Sequence, residues 1–206
     1  MMPPLFPDMP VRLPMPDADV TFFPAFFNAV ESEDFLRRLT AEIPWRQVSI
    51  RLYGKTIPVP RLTSWHGDAG TGYAYSHVEL IPEPWTPALS EIRERLLAPD
   101  GLPFNSVLLN YYRDGSDGVS WHSDDEPELG PAPVIASVSF GAVRRFQFRH
   151  RVRRTEKTAI DLTAGSCLLM RGETQRHWQH QIPKTKKPCG PRINLTFRRI
   201  ETNNRP

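Results

Sequence analysis

From Asn105 onward the chain reads as a run of short β-strands with turn residues between them, and this restricts the available folds more than any other feature. The segments are Ser106 to Tyr112, Val119 to Asp124, Val134 to Phe140, Arg144 to Arg151, Thr158 to Leu162, Ser166 to Met170, Gln175 to Ile182 and Arg192 to Ile200. Glycines such as Gly141 and Gly165 stand in the connections. No strand–helix–strand alternation is visible, which excludes a doubly wound parallel sheet. Strands following two helices predict an α+β protein built on a double-sheet jelly roll, with a ligand mouth between the sheets.

The helices come earlier. Phe35, Leu36, Leu39 and Ile43 recur at helical spacing after a start at Ser32-Glu33-Asp34, and Pro44 stops them. A second amphipathic helix opens at Thr86-Pro87 and carries Leu89, Ile92 and Leu96. Val20 to Phe27 and Gln47 to Tyr53 read as strands, and Tyr53-Gly54-Lys55 makes a hairpin tip. Thr56 to Ser64 returns as an edge strand, because Pro58 and Pro60 cannot donate to a ladder. Tyr73 and Tyr75 share a strand face after a glycine-rich loop, placed either to stack a base or to fill core. Residues 1–19 hold six of the 22 prolines and no apolar periodicity, so an extended, mobile arm is expected there. At 206 residues one globular unit is expected, an extension over 20–104 joined to a jelly-roll core over 105–206.

Charge is divided unevenly along the chain. Residues 1–140 carry 10 Lys and Arg against 19 Asp and Glu, a net of −9, whereas residues 141–206 carry 16 against 4, a net of +12. A basic third of this kind is the footprint of a phosphate-rich partner. The cationic run through Arg144, Arg145, Arg149, Arg151, Arg153 and Arg154, with Lys184, Lys186 and Lys187, supplies candidate phosphate contacts, only some of which should touch nucleic acid. The two cysteines, Cys167 and Cys189, have no paired spacing and read as reduced thiols. With no bilayer-length apolar run and no basic-then-apolar leader, the expected location is intracellular and away from membranes.

The chemistry centres on His122-Ser123-Asp124. Side chains two apart on a strand leave the same face, so His122 and Asp124 can reach one point while Trp121 and Ser123 face away. With a distant second histidine this becomes a two-His-one-carboxylate facial set, which leaves open positions on Fe(II). The competing reading is a surface histidine beside the acidic patch of Asp124, Asp125, Glu126 and Glu128. His177 and His180 are three apart and leave opposite faces of a strand, so one can bind metal while the other packs. In Arg192-Ile193-Asn194-Leu195-Thr196-Phe197-Arg198 polar and apolar residues alternate without a break. Arginines on the inward face of a barrel strand require an anionic partner, and a small dicarboxylate would satisfy both. Surface phosphate contacts are the other reading.

Together these residues resemble the AlkB iron(II)- and 2-oxoglutarate-dependent dioxygenases. The likeness rests on Asn110-x-Tyr112, His122-x-Asp124-x-Glu126, His180 and Arg192-x-Asn194-x-Thr196-x-Arg198, and it runs from about Val20 to Ile200. It is most similar to the duplex-DNA repair branch, through Ser137-Val138-Ser139-Phe140-Gly141, Phe146-x-Phe148-Arg149-His150 and His177-Trp178-x-His180. By this resemblance His122, Asp124 and His180 ligate iron and carry catalysis, with His177 packing nearby. Asn110, Tyr112, Arg192, Asn194 and Arg198 match the positions that hold 2-oxoglutarate, Arg192 and Tyr112 toward the distal carboxylate and Arg198 toward the iron. Glu126 matches the contact to the exocyclic amine of the target base, and Tyr73 and Tyr75 match aromatic positions of the base pocket. Tyr53 matches the hairpin position where duplex-repair relatives place an intercalating phenylalanine, and Arg61 a position near the displaced partner strand.

The resemblance implies a jelly roll with two supporting N-terminal helices and a nucleotide-recognition hairpin lid. It implies oxidative demethylation of 1-methyladenine and 3-methylcytosine in DNA, using Fe(II), O2 and 2-oxoglutarate and releasing formaldehyde, succinate and CO2. Duplex is expected over single strands, the protein is expected to be a monomer, and it would act in a bacterial cytoplasm or a eukaryotic nucleus. The alternatives are the same chemistry on RNA or single-stranded DNA, a 2-oxoglutarate dioxygenase acting on protein or a small molecule, and a non-enzymatic binding module.

Overall fold

In the computed structural model, which describes residues 9–52, 54–71, 73–75, 78–100 and 104–201 (backbone alone at 50–52, 73–75, 78–80 and 97–100), the alternating segment at 192–198 lies inside the larger of two sheets. In chain order the elements are β1 (Val11–Arg12), β2 (Asp19–Phe23), α1 (Ala29–Glu42), β3 (Ser49–Leu52), β4 (Lys55–Pro58), β5 (Leu62–Gly67), β6 (Tyr73–Tyr75), β7 (Val78–Leu80), α2 (Pro87–Asp100), β8 (Ser106–Tyr112), β9 (Val119–His122), β10 (Ile135–Gly141), β11 (Arg144–His150), β12 (Lys157–Leu162), β13 (Ser166–Arg171), α3 (Thr174–His177), β14 (Trp178–Ile182) and β15 (Arg192–Arg198). The seven-stranded sheet has the order β1-β2-β13-β10-β15-β8-β5, the four-stranded sheet β12-β11-β14-β9, and β3-β4 and β6-β7 are separate hairpins. Every ladder is antiparallel. This is the expected jelly roll.

The period-two pattern of β15 decides what lies on each side of the large sheet. Ile193, Leu195 and Phe197 join Phe35 and Leu39 of α1 and Leu89 and Ile92 of α2 in one core. The opposite residues face the smaller sheet, where Phe146, Phe148, Trp178 and Ile182 pack with Ile135, Leu168 and Met170. Burying each such side chain contributes about 2 kcal/mol, so the two apolar layers hold the sheets while leaving the polar face of β15 between them.

Several elements differ from their sequence signatures. Helix α1 starts at Asn28 rather than at Ser32: the Asn28 side chain accepts from the Glu31 amide at 2.9 Å while Glu31 accepts from the Asn28 amide at 2.8 Å. That reciprocal cap satisfies two otherwise orphaned donors, and Ser32 is buried instead. The expected return strand 56–64 is broken. Its first part stays with β3 as β4, its second joins β8 as the sheet-edge strand β5, and residues 59–61 cross between them, with Val59 N–H donating to Val48 O at 2.9 Å. Residues 174–177 form a helical turn instead of the start of a strand.

The arm expected over 1–19 is corrected for its second half. β1 pairs with β2, Met15 is buried, and the Trp178 indole donates to Pro16 O at 2.8 Å. Residues 1–8 and Tyr53 lie outside the described residues. Among the described residues no helix is long and apolar enough to cross a membrane.

Candidate metal and co-substrate site

Strand β9 ends at His122, and Asp124 lies just past it. His122 is paired across the ladder with His180 in the middle of β14, and their rings meet edge to face with centroids 4.3 Å apart. Between the pairs His122–His180 and Val119–Ile182 the register shifts, β9 carrying the additional residue. A bulge of this kind bends the strand and re-aims its side chains. The ligand atoms of His122, Asp124 and His180 all lie within 4.8 Å of one another.

Each ligand is held in a state suited to a cation. The His122 Nδ1–H donates to Ser120 O at 2.8 Å; a carbonyl can only accept, so the neutral ring carries its lone pair on Nε2. His180 is buried with its ring stacked on Phe146 at 5.1 Å, and burial, resisted by Asp124 and aided by His122 and Arg198, pushes its pKa down to about 3. It is therefore neutral at physiological pH. Burial works against charge on Asp124, but the Arg198 cation outweighs it, so the carboxyl is held below its ordinary range and stays ionised. Arg198 Nη2 donates to Asp124 Oδ1, and the Asp124 amide donates to Gln175 Oε1 at 3.0 Å. Two imidazoles and one carboxylate suit Fe(II). The burial of Asp124 and His180 removes the reading of a solvated surface patch.

These ligands line a cavity of about 420 Å³, together with Asn110, Tyr112, Asn194 and Arg198. Such a volume is in the range of small-molecule sites. Arg192 lies behind Tyr112 with its guanidinium carbon 5.1 Å from the ring centroid, fully buried and bonded through Nη2 to Ser139 Oγ at 2.9 Å. Among the described residues its Nε and Nη1 have no partner, nor does Nε of Arg198. Burial, aided by Arg144 and resisted by Tyr112, pulls the Arg192 pKa down to about 10, which still leaves it a cation. Buried cationic donors without an acceptor fit a dicarboxylate spanning the space between Arg192 and the metal ligands. Asn194 lines the same cavity, but its amide donates to Ser137 Oγ at 2.8 Å and Val138 O at 3.0 Å.

The remaining expected residues fall in different places. Glu126 is exposed at the cavity wall. Arg61 also lines the cavity, where its Nε donates to Asn110 Oδ1 at 2.6 Å and its Nη1 to Gly118 O at 3.2 Å, engaging the co-substrate wall rather than extending away from it. Tyr73 and Tyr75 sit on β6 opposite Leu80 and Val78; their side chains are outside the described residues. His177 lies at the end of α3, not on a strand, and stacks on His150 at 5.7 Å.

The cationic run is largely committed to protein partners. Arg144 is buried, Arg145 pairs with Asp161 at 3.2 Å, Arg153 with Asp17 at 3.1 Å and Arg151 with Asp125. Arg149 lies over Trp121 at 4.4 Å and donates to Gln179 Oε1. Arg154, Lys184, Lys186 and Lys187 are exposed. Sequence reasoning missed Gln175, Phe146 and the buried Arg144. For the last two the signal was present, as Arg144, Phe146, Phe148 and His150 alternate inward along β11.

A second cluster of potential ligands, Asp17, His150 and His177, is equally close-set but unsuited to metal. His150 Nδ1 accepts from the amides of Val152 at 3.2 Å and Arg153 at 3.0 Å, so its proton sits on Nε2, which faces Asp17 Oδ2 at 3.4 Å. No lone pair remains for a cation. The cluster fastens the segment before β2.

The sequence model of the 2OG-Fe(II) oxygenase superfamily matches residues 19–198. The chain is 42% identical over 190 residues to the alpha-ketoglutarate-dependent dioxygenase alkB homolog 3 of Rattus norvegicus, an alignment covering 88% of this chain and 64% of that protein. It is 42% identical over 188 residues to the DNA oxidative demethylase ALKBH2 of Mus musculus, covering 86% of this chain and 79% of that one. It thus spans somewhat less than two thirds of the rat relative. The solved structure of OsALKBH1 shares the fold, with a TM-score of 0.59 at 18% identity over 87% of this chain and 97% of that one. Fold, metal ligands and sequence agree: the chain belongs to the 2OG-Fe(II) oxygenase superfamily, within its AlkB family, which uses Fe(II) and 2-oxoglutarate.

Proposed function

We propose that the chain is an oxidative demethylase of N-alkylated bases, acting on 1-methyladenine and 3-methylcytosine in DNA and preferring duplex to single strand. The observation that carries this reading is one cavity holding both the His122–Asp124–His180 set and Arg198, with Tyr112 in its wall and the unpaired donors of Arg192 behind. The mouse relative named a DNA oxidative demethylase supports nucleic acid as the substrate class.

With Fe(II), 2-oxoglutarate and O2 bound, the chemistry supplied is hydroxylation of the N-methyl group as 2-oxoglutarate goes to succinate and CO2, after which the hydroxymethyl group leaves as formaldehyde. The chain's residues prepare for it. His122, Asp124 and His180 would hold the metal on one side and leave positions open on the other. Arg192 and Tyr112 would receive the distal carboxylate, and Arg198 fixes the Asp124 carboxylate beside the metal. Phe146, stacked on the His180 ring at 5.1 Å, restrains the rotation of that imidazole. Glu126, at the cavity wall, would accept a hydrogen bond from an exocyclic amine, and a lesion that blocks pairing costs less to extrude from the stack. The hairpin β3-β4 leads directly into the lining residues Val59, Pro60 and Arg61, which supports an approach of duplex from that side.

The test is mass spectrometry of duplex DNA, single-stranded DNA and RNA oligonucleotides carrying one 1-methyladenine, each incubated with Fe(II), 2-oxoglutarate and O2. Methyl loss fastest on duplex and absent with His180→Ala is expected. Turnover of 2-oxoglutarate with every methyl retained would overturn the nucleic-acid reading, and a faster single-strand or RNA reaction would overturn the duplex preference.

A further inference from the structure

Arg144 opens the inward row of β11, facing the large sheet, and is 3% exposed. Its guanidinium donates to Asp114 O at 3.1 Å, Asp117 O at 2.9 Å and Pro183 O at 2.8 Å, three carbonyls and no carboxylate. The guanidinium carbon stands 5.7 Å from the centroid of the Tyr112 ring, and that of Arg192 stands 5.1 Å from the same ring. One phenol therefore lies against two buried cations contributed by opposite sheets.

Neither cation has an anionic partner among the described residues. Of the two acids on the loop, the Asp117 carboxylate is engaged by Arg113 through Nε at 2.8 Å and Nη2 at 2.9 Å, and the Asp114 carboxylate accepts from Ser116 N–H at 2.8 Å and Oγ at 2.6 Å. Carbonyl dipoles fix the direction of a guanidinium without cancelling its charge. Two like charges in a low-dielectric interior repel, and burial disfavours the charge of Arg192, so the pair is balanced only when an anion enters between the sheets. The far carboxylate of 2-oxoglutarate is such an anion.

The same bonds fix the position of that charge. Arg144 ties the loop between Tyr112 and β9 to Pro183, just past the strand that carries His180. The two loops meet because they are narrow there: a Cβ at Gly118 would lie 2.7 Å from Ile182 O, and one at Gly115 would lie 2.5 Å from Thr185 O. We propose that Arg144 is a second cation of the 2-oxoglutarate site, a positioning residue that acts through Tyr112 and Arg192 to select a co-substrate with a distal carboxylate.

The inference rests on the family's use of 2-oxoglutarate, and its test separates the two. The full chain loaded with Mn(II) is titrated calorimetrically with 2-oxoglutarate and with 2-oxopentanoate, the same keto acid without its distal carboxylate, as wild type, Arg144→Gln and Arg144→Lys. Arg144→Gln is expected to weaken 2-oxoglutarate about tenfold while leaving 2-oxopentanoate within about twofold, the difference being one charge interaction. Arg144→Lys keeps the charge, and its preference for 2-oxoglutarate is expected to stay within about twofold of wild type even where its melting temperature falls. Equal weakening of both acids, or loss of the preference in Arg144→Lys, would overturn the assignment, and the lysine variant decides it should the glutamine variant not fold. Wild type that binds neither acid would overturn the co-substrate reading itself.

Discussion

Replacing Arg192 with methionine should separate its role in the site from any role in the fold. Holding this guanidinium charged in the interior lowers its pKa from the ordinary 12.5 to about 10, roughly 3 kcal/mol of unfavourable charge burial. Against that stands one hydrogen bond to Ser139 at 2.9 Å, about 1 kcal/mol, the attraction of the Tyr112 face at 5.1 Å being already contained in the lowered pKa. Methionine is flexible enough to fill the space and removes both sets. The metal-free variant should therefore unfold in urea about 2 kcal/mol more stable than wild type. The ligand response should differ completely. Wild type loaded with Mn(II) should gain about 2.7 kcal/mol at 2-oxoglutarate a hundredfold above its Kd, and Arg192→Met should gain nothing. A variant that loses more than about 3 kcal/mol without ligand yet retains the full gain with it would refute the reasoning, because Arg192 would then be structural.

In the unfolded chain His180 takes up its proton near pH 6.5, and in the folded chain only near 3, so between these values the unfolded state binds the additional proton. Stability of the metal-free protein should fall as pH drops through that window, by about 1.4 kcal/mol per pH unit from this residue, and urea titrations of His180→Phe should show a shallower slope. Gln175→Leu leaves the buried Asp124 amide without its acceptor, and titration of Mn(II) should show affinity about tenfold to a hundredfold weaker; unchanged affinity would remove Gln175 from the site. Because His150 has no free lone pair, calorimetry with Mn(II) should find one equivalent per chain in wild type and in Asp17→Asn, and a second equivalent in wild type would contradict the tautomer argument.

The parts of the fold that could be read in the sequence are those fixed by local periodicity. Strands β8 and β15 show it most clearly, since both are buried on two faces with a polar row on one, and their residues announce which side is which. The metal set was legible because His122 and Asp124 are two apart and the arginine row of β15 demands an anion. What could not be read depends on contacts distant in sequence. The segment 9–19 carries no pattern of its own and is held by Trp178, Asp17 partners and β2. Gln175 was hidden by the smooth run into β14, where a helical turn intervenes. Arg144 was masked by neighbouring arginines, although it is the one member of that run on the inward row.

The proposed function requires this cavity to couple decarboxylation of 2-oxoglutarate to removal of a base methyl group. The direct measurement is the yield of formaldehyde against succinate from duplex oligonucleotide carrying 1-methyladenine, for wild type and for Asp124→Asn. Wild type should give about one formaldehyde per succinate, as the reaction's atom balance requires, and the variant that loses a metal-binding carboxylate neither product above background. Succinate formed without formaldehyde, or formaldehyde still released by Asp124→Asn, would contradict the proposed function.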